Sequence, residues 1–168
     1  MVNYINALVE SSKNIINQMT GENLTLKNIR TKEEVRSQET LTVISGICNK
    51  DKSFQIMLNY TEILAKNISS IVKGGIPIAI LDEESKYIII EISKMIISNS
   101  IIQCENKIED IYVIQPSLIK ANNLSYNTEG LITTLEFELL EEDMKILIMP
   151  IKNIEDLEYI KNIEEKYI

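Results

Sequence analysis

Histidine and tryptophan are absent from the 168 residues, and only 2 cysteines are present. Without histidine, the chain cannot use Ser-His-Asp or Cys-His catalysis, an HExxH zinc helix or a histidine-based pH switch. Cys48 and Cys104 lie far apart and form no CxxC pair, so they predict neither a zinc site nor a redox couple. We expect two reduced thiols, and neither a metal nor a cofactor.

Basic residues are scarce relative to acidic ones: 17 against 25, for a net charge of −8. This charge repels nucleic-acid phosphates, so we expect no nucleic-acid partner. The longest apolar run, Gly75–Leu81, is too short to span a bilayer and contains Pro77. The first residues lack the basic and apolar segments of a signal peptide. We therefore expect a soluble, cytoplasmic protein without a membrane partner.

The sequence does contain regular apolar periodicity. Its length of 168 residues is typical of one domain. In the first half, spacings of three and four predict helices and alternation predicts strands. The predicted elements are a helix from Val2 to Met19, strands at Leu24–Leu26, Leu41–Cys48 and Ser53–Leu58, a helix from an Asn59 N-cap to Lys73, and a third helix from an Asp82 cap to Cys104. The polar segment Arg30–Thr40 is predicted to be a loop.

The second half predicts three more strands and a final helix. The strands are Ile111–Gln115, which Pro116 ends, then Ile132–Leu139 and Met144–Met149. The Asn-rich segment Lys120–Gly130 is predicted to be a loop. Asn153 is the predicted cap of a charged C-terminal helix, so we expect one domain over residues 1–150 and a helical extension over residues 151–168.

This order of elements predicts an α+β fold. Runs of strands joined by hairpin-length turns favour a largely antiparallel sheet. We expect two three-stranded units, two long central helices packed on the sheet, and the added C-terminal helix. The segment Val9–Ile16 is similar to Ile90–Ile97, which agrees with a unit of one helix and three strands used twice. Chance similarity in a chain rich in Ile, Lys and Glu is the simpler explanation.

One polar stripe crosses the third predicted helix, which is otherwise apolar. At ~100° per residue, a single face carries Glu84, Tyr87, Glu91, Lys94 and Ser98. The simplest interpretation is a solvated face with a Glu91–Lys94 ion pair, worth ~0.2–0.5 kcal/mol at this spacing. The alternative is a helix that presents its polar edge to another protein.

Four segments, together with the order of the elements, carry a resemblance to a known family. They are the first helix through Met19 and Gly21, the strand Val43-Ile44-Ser45-Gly46-Ile47, the strand and helix from Ser53 through Ala65, and Ile111–Ile119 with Gln115-Pro116-Ser117. In this order they resemble the CheX branch of the CheC/CheX/FliY chemotaxis phosphatases, and the resemblance runs from Tyr4 to Met149. The resemblance implies a CheX-like fold and a homodimer.

The family's signature is a Glu-x-x-Asn on its central helix, which enters the active site of a phosphorylated CheY-type response regulator. The resemblance implies that the Glu pairs with the regulator's active-site Lys, and that the Asn amide orients the water attacking the aspartyl phosphate. Here Glu91 matches, but Lys94 stands at the Asn position. An ammonium only donates hydrogen bonds, so it cannot accept one from that water. Asn99 lies ~80° round the helix and ~12 Å along it from Glu91, too far to replace the amide.

The sequence leaves three hypotheses for function. The favoured one is a CheX-like chemotaxis or two-component signalling protein that binds a CheY-type response regulator, with phosphatase activity weak or lost. The second is an active CheY-phosphate phosphatase, and the third is a non-catalytic dimeric structural or adaptor protein unrelated to response regulators. In the first two, Glu91 and Lys94 are the candidate catalytic residues, and the partner-binding surface is Glu84, Tyr87, Glu91, Lys94 and Ser98.

Overall fold

The helices and strands largely follow the apolar periodicity of the sequence. The protein is seen in a computed structural model that describes residues 2–37, 41–48, 53–104, 112–121 and 124–151. Its helices are α1 (Val2–Thr20), α2 (Glu62–Val72) and α3 (Glu83–Ile102). Its strands are β1 (Thr25–Ser37), β2 (Leu41–Cys48), β3 (Ser53–Tyr60), β4 (Tyr112–Val113), β5 (Ser117–Lys120), β6 (Leu124–Leu139) and β7 (Glu142–Ile151).

The strands form one sheet, and every pairing within the described residues is antiparallel. The order across the sheet is β1-β6-β7-β3-β2-β4, and β5 pairs with the other end of β2. These helices and this sheet confirm the prediction of an α+β fold with an antiparallel sheet.

The sheet is built from two similar halves. One half is α1 followed by β1, β2 and β3, and the other is α3 followed by β4, β5, β6 and β7. The third strands, β3 and β7, pair with each other at the centre of the sheet. On one side of them β1 lies beside β6, and on the other β4 and β5 lie beside β2. The unit of one helix and three strands is therefore used twice, with its first strand divided around Pro116 in the second half.

One face of the sheet carries the main core, and α3 packs against both α1 and α2 above it. The helices contribute Leu8, Ile16, Leu64, Ile68, Ile89, Ile92 and Ile96, and the strands contribute Val43, Leu58, Leu135, Phe137 and Ile146. Each such side chain stabilises the fold by ~1.5–3 kcal/mol when fully buried. This packing fixes α3 with one face towards the core and the other towards solvent.

The opposite face of the sheet has a smaller apolar cluster, in which Met57, Ile132 and Leu147 are buried beneath Val35 and Tyr126. The hydroxyl of Tyr126 lies 3.2 Å from the hydroxyl of Thr42, within hydrogen-bonding distance. Thr42 is on β2, which β7 and β3 separate from β6. The far end of the paired strands β1 and β6 must therefore curve across this face of the sheet.

Two segments predicted to be loops are strands. Residues 30–37 of the predicted loop Arg30–Thr40 belong to β1, and residues 124–130 of the predicted loop Lys120–Gly130 belong to β6. The two polar segments pair with each other, for example through Val35 opposite Tyr126. The prediction was wrong because each segment satisfies its backbone groups on a partner about ninety residues away.

The ends of three predicted elements also need correction. The N-cap of α2 is Thr61, whose hydroxyl accepts from the Leu64 N–H at 3.0 Å, whereas Asn59 is a buried residue of β3. Of the described residues 112–115 of the predicted strand 111–115, Tyr112–Val113 form a strand, and β5 follows Pro116. β7 runs through Pro150 to Ile151.

The C-terminal helix predicted from Asn153 lies outside the described residues, so the division into 1–150 and 151–168 stays a prediction.

Candidate functional site

The first turn of α3 is held by its own cap and by the end of α2. The Asp82 carboxylate accepts from the Ser85 N–H at 2.7 Å, and hydrogen bonds from Ser85 lower the pKa of Asp82. Lys73, which ends α2, lies with its Nζ 2.7 Å from Glu84 and 3.5 Å from Asp82. The hydrogen bond to Glu84 raises the pKa of Lys73. Two carboxylates of α3 are thereby tied to α2.

Buried hydroxyl groups anchor the rest of α3. The Ser93 hydroxyl donates to the carbonyl of Ile89 and lies 2.8 Å from the hydroxyl of Tyr60 on β3, whose pKa burial raises. The Ser100 hydroxyl lies 3.2 Å from that of Tyr4 on α1. These contacts fix the rotation of α3 about its own axis, since each engages one face of the helix.

The five residues predicted to share a stripe do lie on the solvent side of α3. Glu84, Tyr87 and Lys94 are exposed, and Glu91 and Ser98 are half-buried. The sequence analysis missed two apolar members of this stripe, Met95 and Ile102, which are 37% and 62% exposed. Both lie within ~80° of Tyr87 on a helical wheel, a signal masked because isoleucine and methionine were assigned to the core. We call these seven residues the α3 stripe.

Glu91 and Lys94 pair with each other at the middle of the stripe. The Lys94 Nζ lies 3.6 Å from the Glu91 Oε1, and the two side chains are 51% and 35% exposed, respectively. A solvent-exposed pair at this spacing contributes ~0.3–0.5 kcal/mol at most, so water or another charged group can replace either partner. The carboxylate can accept from an incoming cation, while the ammonium can only donate.

Glu84 differs from the rest of the stripe because Lys73 already holds it. Its side chain is still 74% exposed, so its outer oxygen remains open to solvent. Within the described ranges no three His, Cys, Asp or Glu side chains converge as a metal site would require. Among the described helices none is long and apolar enough to cross a membrane.

No protein-family model matches the chain, and no curated protein matches its sequence. Solved structures do match. A CheC-like superfamily protein from Shewanella sp. PV-4 has a TM-score of 0.81 at 16% identity, over 90% of this chain and 99% of that one. CheX from Vibrio vulnificus has a TM-score of 0.77 at 20% identity, over 88% of this chain and 99% of that one.

A third match is the CheX-CheY-BeF3-Mg2+ complex from Borrelia burgdorferi. Its TM-score is 0.63 at 17% identity, over 88% of this chain and 97% of the matched one. Likeness at such identities defines the fold: this chain has the fold of CheX-like and CheC-like chemotaxis proteins.

Proposed function

We propose that this chain is a CheX-like signalling protein that binds a CheY-type response regulator through the α3 stripe, with phosphatase activity weak or lost. The observation that carries the proposal is the partly exposed Glu91–Lys94 pair on the central helix of a fold shared with CheX. A CheX from another organism has been solved in complex with CheY. The resemblance assigns the docking edge to the helix that Glu91 occupies.

The geometry of α3 supports docking. The helix is anchored on its buried side by Ser93 and Ser100, so its exposed edge is preorganised and loses little conformational entropy on binding. Tyr87, Met95 and Ile102 add apolar contact area around the central charges. Aromatic anchors with apolar neighbours are typical of the residues that dominate interface energetics.

Lys94 supports weak or absent catalysis. In the mechanism that the resemblance implies, the residue at this position must both donate and accept hydrogen bonds to orient the attacking water. Lys94 supplies donors only, and it also competes for Glu91, which the mechanism assigns to a lysine of the regulator. Binding is retained in this proposal because the Glu91–Lys94 pair is exposed and easily exchanged.

Two measurements on one partner test the proposal. The first is binding of a CheY-type regulator from the same source, activated with beryllofluoride, and the second is the decay of its aspartyl phosphate with and without this chain. We expect binding with little acceleration of decay. Glu91→Gln should weaken binding, because it removes the carboxylate that a lysine of the regulator would meet.

Glu10→Gln is the matched control, since Glu10 makes a similar exposed i,i+3 pair with Lys13 on α1, at 3.7 Å. It should leave binding unchanged. Strong acceleration of decay would instead identify an active phosphatase and overturn the assignment of weak activity. Absence of binding to activated regulators would favour the adaptor hypothesis and refute the proposal.

A further inference from the structure

A groove on the helix-free face of the sheet brings four basic side chains of this acidic chain together. It has a volume of about 420 Å3 and lies against β1, β6 and β7. It is lined by Arg30, Lys32, Glu34, Val35, Arg36, Thr134, Glu136 and Lys145. Both arginines of the chain are there, so four cations face two carboxylates in a molecule of net charge −8.

Each of the two arginines forms an ion pair with one of the two glutamates. A terminal nitrogen of Arg30 lies 3.2 Å from Glu136, and the Nε of Arg36 lies 3.0 Å from Glu34. The hydrogen bond from Arg36 lowers the pKa of Glu34. A guanidinium has five N–H donors, so each arginine keeps donors for a further acceptor after this contact. The carboxylates thus orient the guanidinium groups and leave some of their N–H donors available to a ligand.

The curvature of the sheet explains why these residues form a concave surface. The far end of β1 and β6 folds across the sheet, with Val35 and Tyr126 packed on Met57, Ile132 and Leu147. Arg30 and Lys32 lie opposite Thr134 and Ile132 in the register of the two strands. Lys145 comes from the neighbouring strand β7, where it faces Glu136. Residues of three strands are therefore brought around one space by backbone geometry.

We propose that this groove binds a small phosphate-bearing molecule of nucleotide size. Guanidinium groups match phosphate oxygens with paired hydrogen bonds, and four cations from two strands suit an anion with more than one negative charge. The volume falls within the range typical of small-ligand sites, ~300–1,000 Å3. Val35 and the hydroxyl of Thr134 provide an apolar wall and a neutral polar group beside the charges.

This site is independent of the proposed regulator surface. The α3 stripe lies above the main core, whereas the groove lies on the opposite face of the sheet. Binding in the groove can therefore be measured without any response regulator, and its failure would not affect the proposed function.

The test is calorimetric titration of the full chain with inorganic pyrophosphate at constant ionic strength. We expect saturable binding that the double variant Arg30→Gln/Arg36→Gln weakens by roughly tenfold or more, since each lost charged hydrogen bond is worth more than ~1.4 kcal/mol. The matched control is Lys13→Gln/Lys27→Gln, which removes the same charge outside the groove. It should bind like the unaltered chain, because Lys27 pairs with Glu138 and Lys13 lies on α1.

A second measurement does not depend on how the variants fold. Pyrophosphate should shift the amide resonances of β1, β6 and β7 around Arg30, Thr134 and Lys145 in the unaltered chain, and leave those of α3 unchanged. Equal weakening in both double variants, shifts spread over all lysine-bearing surfaces, or no binding would each overturn the proposal.

Discussion

At the scale of single residues, Lys94 is the residue that separates binding from catalysis in the proposed function. Lys94→Asn restores a Glu-x-x-Asn sequence on the exposed stripe of α3 and frees Glu91 from its 3.6 Å ion pair. We expect it to raise the rate of phosphate loss from the bound regulator, by ~10²-fold or more if positioning of the water is restored. The measurement is phosphate release from a labelled regulator at saturating concentrations of this chain.

Lys94→Ala is the control for that substitution. It also removes the cation and frees Glu91, but it supplies no amide to hold a water. If both variants accelerated release equally, removal of the charge would be the cause and the water-positioning argument would fail.

Tyr60 offers a second prediction at this scale, about stability. Its fully buried hydroxyl lies 2.8 Å from Ser93, and this contact joins β3 to α3. Tyr60→Phe should lower the free energy of unfolding by ~0.5–1.5 kcal/mol, the usual net value of such a hydrogen bond. Urea unfolding measures it. Tyr87→Phe, at a 61% exposed position, should leave the free energy unchanged, and equal losses in both would contradict the packing described.

At the scale of elements, prediction from sequence succeeded where a segment has its own apolar pattern. The positions of α1, β2, β3 and α3, which are all rich in apolar residues, were predicted to within a few residues. The five polar-stripe residues of α3 named in the sequence analysis were predicted to share a face for the same reason, because helical angles follow from spacing alone, whereas Met95 and Ile102 were missed. The pairing of residues 30–37 with 124–130 was not predictable in this way, since their side chains are mostly polar and the pairing partner is remote.

The groove was also not predictable from the sequence, because its residues are brought together by strand pairing. Its cations come from residues 30–36 and from Lys145, which no local motif connects. In the sequence the basic stretch from Lys27 to Arg36 is interrupted by Glu33 and Glu34. Only the curved pairing of β1 with β6 places Arg30, Arg36 and Lys145 around one space.

The attachment of α2 to the sheet edge predicts a pH dependence. Glu62, in the first turn of α2, accepts hydrogen bonds from Lys120 on β5 and from Lys66, and these lower its pKa to about 2 from an ordinary value of 4.5. A lowered pKa contributes stability above the unfolded value and loses it as pH falls. We therefore expect Glu62→Gln to flatten the fall in unfolding free energy between pH 4.5 and about 2.

Denaturant unfolding at several pH values in that window measures this effect. Glu22→Gln is the charge-matched control, because Glu22 is exposed in the turn after α1. It should keep the steeper pH dependence. Parallel curves for Glu62→Gln and the unaltered chain would show that Lys120 and Lys66 contribute nothing through this carboxylate.

At the scale of the whole molecule, the CheX-like resemblance predicts a homodimer. Light scattering at micromolar concentration measures it directly. One chain of 168 residues has a mass of 19.2 kDa, and we expect the particle in solution to have twice that mass. A monomer across the accessible concentrations would refute the dimer.

The exchange of strands between the two halves has a consequence for biosynthesis. While the ribosome is still making the second half, β1 lacks β6, and β3 lacks β7, so the first half exposes unpaired strand edges. Such pairings between distant residues slow folding and leave intermediates prone to aggregation. We expect the sheet to close only after β7 has been synthesised, which makes the nascent N-terminal half a natural client for chaperones.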